Sequence, residues 1–111
     1  MEKTPFPKPD WHVLPKEGCK GVEARVCLVD KRSVVAMLRL GPQSHTDVHP
    51  APYDIHVLCI EGSGFAMSGG EVKPIQSGES VLWPKGEEHN IYTQDSEMTT
   101  VMIEHVHQMN Q

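Results

Sequence analysis

From Val22 onward, apolar and polar residues alternate with a period of two in short runs, and turn residues separate the runs. That pattern is the strongest constraint on the fold, because a half-buried strand has that period and a helix does not. In "VEARVCLVD", Val22, Ala24, Val26 and Leu28 share one face while Glu23 and Arg25 point away. "DKR" turns the chain, and "SVVAMLRL" follows with Val34, Ala36, Leu38 and Leu40 on one face. "GFAMSGGEVKPI" reads as two strands joined at Gly69-Gly70, and Pro74 places the second at an edge or a bulge. "ESVLWP", "HNIYTQ" and "EMTTVMIEHV" complete the set, with a turn at "QDSE". No segment carries an i, i+3, i+4, i+7 apolar stripe. Eight or nine short strands with turns between them predict an all-β sandwich or barrel.

The 111 residues suffice for one domain with a single core. Residues 1–20 read as a Pro-rich arm, because Pro5, Pro7, Pro9 and Pro15 can neither donate in a ladder nor sit inside a helix. Residues 21–106 are the barrel, and 107–111 are a C-terminal tail. Ten Lys and Arg against 15 Asp and Glu give a net charge of −5, which argues against a nucleic-acid partner. No apolar stretch is long enough to span a membrane, and "MEKTPFPKPDW" lacks the apolar centre of a signal peptide. Cys19, Cys27 and Cys59 cannot all pair and form no CxxC, so they read as reduced thiols of a cytoplasmic protein. Cys27 and Cys59 lie inside apolar runs, where they act as small hydrophobes. Met37, Met67 and Met102 read as core filler.

The chemistry concentrates in two stretches. In "GESVLWPKGEEHNIYT", Gly78 permits a positive-φ turn, Pro84 ends a strand, Gly86 allows a tight turn, and His89 opens the next strand. Those four positions at that spacing would arise by chance with a probability on the order of a few in a thousand. Here the chain resembles the cupin superfamily, whose second motif is G-x5-P-x-G-x2-H-x3-N with the histidine a metal ligand. Thr93 stands where the family has its final Asn. The first motif, G-x5-H-x-H followed by Glu and later Gly, is degenerate. Gly41 fits its first position, Asp47 replaces the first histidine, and His49 supplies the second. The Glu position falls on Asp54 counted forward from His49, and on Ile55 counted back from Gly62.

If the segment is extended, His45, Asp47 and His49 face one way. The resemblance aims them into the barrel towards His89. It thus implies one divalent transition metal (Fe, Mn, Zn or Ni) held by Asp47, His49 and His89, a two-histidine, one-carboxylate facial set. His45, Asp54 or His56 could add a fourth ligand. Other readings stand beside this one. Asp47 could bind a loop amide or orient a ligand from behind, and His56 in "DIHVLCI" fits a core or interface histidine. If Ile55 faces inward, neither Asp54 nor His56 can. His105 and His107 fall near the C-terminus, where a solvated tail is the default.

The resemblance implies a single double-stranded β-helix, the RmlC-like jelly-roll barrel of cupins, with a small-molecule ligand or substrate. It also implies a homodimer, since related small cupins often pair edge to edge. Three roles follow from it: an oxygenase-like metal enzyme, a metal-dependent lyase or isomerase with His45 or His56 as base, and a non-catalytic binding or sensing module.

Overall fold

A computed structural model describes residues 1–8, 10–14 and 17–106. Nine strands follow one another with no helix among the described residues. They are β1 (His12–Val13), β2 (Lys20–Val29), β3 (Ser33–His45), β4 (His49–Pro50), β5 (Asp54–Ser68), β6 (Glu71–Gln76), β7 (Ser80–Trp83), β8 (Glu88–Tyr92) and β9 (Met98–His105).

Two long strands, β3 and β5, make the barrel by serving two sheets each. The first half of β5 pairs with β7 on one side and β9 on the other, and β9 continues to β3, β2 and β1. The second half of β5 pairs with β6 and β8, while β8 also meets β4 and the end of β3. β5 changes sheets at Gly62, next to a register shift between Cys59 and Glu61. Gly62 has φ +78°, and a Cβ there would run into the Glu97 carbonyl. Only glycine lets the strand pass so close to its neighbour.

The inner faces carry the alternation read from the sequence. Val22, Ala24, Leu38, Leu40, Ile55, Val57, Cys59, Ala66, Ile75, Trp83, Ile91 and Met98 form one buried cluster with Ala51. The hairpin at Gly69-Gly70 has both glycines at positive φ, as a two-residue turn requires. β6, which contains Pro74, pairs only with β5 among the described residues. Gly78 and Gly86 of the second motif both have φ +90°.

Thr93 does structural work at the motif's last position. It is 4% exposed; its hydroxyl donates to the Gly41 carbonyl at 2.6 Å and accepts from Ser44 N–H at 3.0 Å. It therefore ties the end of β8 to the end of β3, the segment that leads into Asp47 and His49.

The arm lies against the barrel over part of its length. β1 extends the sheet beyond β2, Phe6 sits 4.8 Å from the Arg25 guanidinium, and Trp11 sits 4.1 Å from that of Arg39. No disulfide joins the three cysteines. His107 and the 107–111 tail lie outside the described residues.

Candidate functional site

The two motif histidines meet across a strand pair. His49 on β4 is the register partner of His89 on β8, and the rings stand edge to face with centroids 4.4 Å apart. His89 is 4% exposed, and the Trp83 indole lies 4.3 Å from its ring. Asp47 comes in from the loop before β4. Its Oδ2 lies 3.1 Å from the buried Nδ1 of His49, an oblique ion-pair contact rather than a linear hydrogen bond. Its Oδ1 accepts from the Cys19 thiol at 3.4 Å. A carboxylate beside Nδ1 favours the proton on that nitrogen and leaves Nε2 as the basic, ligating one.

Two contributors escaped the sequence reading. Glu104 shares the inner face of β9 with Thr100 and Met102 and interacts electrostatically with His49. Burial pushes its carboxyl above the usual range, and the His49 charge opposes that shift. A carboxylate on the apolar parity of "TTVMIEH" was the available signal. Cys19 sits in the arm with no motif around it, so nothing in the sequence pointed to it.

The other candidates go elsewhere. His45 ends β3 exposed, with its Nδ1 3.4 Å from the Thr46 carbonyl. The alternation from His45 to His49 fails because the backbone is not one strand: Gln43 adopts φ +55°, and residues 46–48 lie outside any strand. Ile55 faces inward at 4% exposure, so Asp54 and His56 leave by the outer face. Asp54 Oδ1 accepts from Lys85 N–H. His56 Nδ1 lies 2.8 Å from His105 Nε2, so His105 belongs to β9 and not to a solvated tail.

The donors at the barrel mouth suit a borderline divalent ion by type, with two imidazoles and carboxylates nearby. Among the described residues, however, no group of three or more His, Cys, Asp and Glu side chains is arranged to hold an ion. The residues fit a metal as a pair of imidazoles, His49 and His89, backed by Asp47; they do not present an assembled triad. The roomiest surface depressions, about 450 and 480 Å³, lie elsewhere and include neither histidine. We place the site by its convergent titratable groups rather than by volume, because those groups are what a reaction uses.

This arrangement, a closed antiparallel barrel with both motif histidines at its mouth, has known counterparts. No protein-family model matches the sequence, and no curated protein matches it. Solved structures do match. The polyketide cyclase RemF from Streptomyces resistomycificus aligns with TM-score 0.82 and 18% identity over 96% of this chain and 80% of that one. The cupin-2 domain Rru_A2000 from Rhodospirillum rubrum gives 0.80 and 17%, over 96% and 77%. KdgF from Halomonas sp. gives 0.77 and 12%, over 98% of both chains. By fold, the chain is a member of the cupin superfamily, an RmlC-like jelly-roll barrel. No helix is long and apolar enough to cross a membrane.

Proposed function

We propose that the chain is a small cupin enzyme that binds a small organic molecule at the barrel mouth and works on it by metal-assisted proton transfer, as a lyase, isomerase or cyclase does. The observation that carries this reading is the Asp47–His49–His89 alignment, a carboxylate at 3.1 Å behind one imidazole and a buried second imidazole in front of it. His49 and His89 would hold one divalent transition metal, which supplies Lewis-acid polarisation of a bound oxygen. Asp47 fixes the tautomer and orientation of His49. Glu104, its carboxyl held towards the protonated form, is the group placed to give or take a proton beside the ligand. Trp83 walls the pocket behind His89 and keeps water from it.

An oxygenase of the facial-triad type needs a third protein ligand, and the Asp47 carboxylate is turned to His49 and Cys19 instead. One similar structure is a polyketide cyclase. Ring closure of that kind proceeds by proton removal and return, which agrees with the acid–base groups found here.

Metal analysis tests the reading. Purified wild type should carry about one transition-metal ion per chain, His89→Ala should lose it while the barrel stays folded, and Asp47→Asn should weaken it. Equal metal content in wild type and His89→Ala would sink the assignment. Metal binding without solvent-deuterium exchange into any bound carbon acid, across a panel of small carbonyl compounds, would favour a binding or sensing module.

A further inference from the structure

The solvent side of an antiparallel sheet is normally polar, which gives each strand a clean alternation. The outer face of β7, β5, β9 and β3 departs from this. Two cross-strand rows run over it in register. One is Leu82, His56, Ile103 and Val35; the next is Ser80, Leu58, Val101 and Met37. Leu82 is 51% exposed, and the other apolar members are half-buried. This is why "SVVAMLRL" and "DIHVLCI" read as nearly continuous apolar runs, the signature of strands covered on both faces.

We propose that this face is a self-association surface whose occupant is a second copy of the chain, packed face to face about a two-fold axis. Three features select that occupant. First, the polar ring in the rows, His56, is already paired with His105 at 2.8 Å, so covering the face strands no imidazole nitrogen of that pair. Second, the carboxylates lie only at the ends of the face. Asp54 falls in the row of Ser33 and His105, and Glu61 falls in the row of Thr99 and Arg39. A chain of net charge −5 repels its own copy over most of its surface, and these two uncharged rows are where it does not. Third, the arm neutralises the flank, with Phe6 over Arg25, Trp11 over Arg39, and Arg39 bonded to Glu23 at 2.8 Å. The contact is made by a sheet face and not by a strand edge.

Sedimentation equilibrium of the full chain is the test. Wild type at micromolar concentration should show twice the 12.4 kDa chain mass. Leu82→Glu, at an exposed position that tolerates a charge in the monomer, should return the mass to one chain with an unchanged far-ultraviolet spectrum. Val101→Arg should do the same. Val72→Glu, equally exposed but on β6, should leave the dimer intact. A single-chain mass for wild type overturns the proposal. So does a dimer that survives Leu82→Glu and Val101→Arg, or one that only Val72→Glu breaks.

Discussion

Replacing Thr93 with valine removes one hydroxyl and leaves the side-chain shape nearly unchanged. The hydroxyl makes two bonds, to the Gly41 carbonyl at 2.6 Å and from the Ser44 N–H at 3.0 Å. Ser44 is 3% exposed, so its N–H gains no water in exchange; Gly41 is half-buried, so its carbonyl is partly rehydrated. A buried group stranded in this way costs about 1–3 kcal/mol, and the two together cost about 2–4 kcal/mol. That is a large part of the 5–15 kcal/mol, roughly, that holds a domain of this size. Thr93→Ser keeps both bonds and loses one methyl, about 1 kcal/mol. Urea unfolding of the three proteins at one concentration measures the order, which should be wild type, then Ser, then Val. Valine at least as stable as serine would refute the reasoning, because packing and not the hydroxyl would then hold the two strand ends together.

Two further predictions follow from the same structure. Gly62→Ala should destabilise the barrel by at least about 2 kcal/mol, since a left-handed residue with a side chain costs roughly 1–2 kcal/mol and the new Cβ meets the Glu97 carbonyl; thermal melting of this variant beside Gly70→Ala, where a Cβ meets nothing, separates the clash from the conformation. Glu104 has its folded pKa raised above 4.5, so its contribution to stability is present below that value and lost as pH climbs through the folded pKa. Glu104→Gln should therefore melt higher than wild type at neutral pH and lose that advantage near pH 4; an advantage that grows on acidification would reverse the assigned sign.

How much was legible before the fold was known differs from feature to feature. Strand parity was readable from Val22 to Leu40, because a period of two is a local property and needs no partner. The second motif was readable for the same reason. Glycine at 78 and 86 and proline at 84 specify a turn by their own backbone limits, and the turn aims His89. The first motif was less so. Whether Asp54, Ile55 or His56 faces the barrel depends on where β5 registers against β7 and β9, and only the ladder decides that Ile55 lies inward opposite Trp83 and Glu104. The step from His45 to His49 likewise looked like one strand until the left-handed Gln43 broke it.

The sequence alone determined that this chain must be a small β-barrel with histidines at one rim, since periodicity and turn chemistry act over a few residues. Which groups share a neighbourhood was decided only by the tertiary structure. Glu104 comes to His49 across 55 residues of chain, Thr93 to Gly41 across 52, and His105 to His56 across 49. Contacts at that separation arise from strand register, which sums pairing and burial over the whole sheet and is written in no single segment.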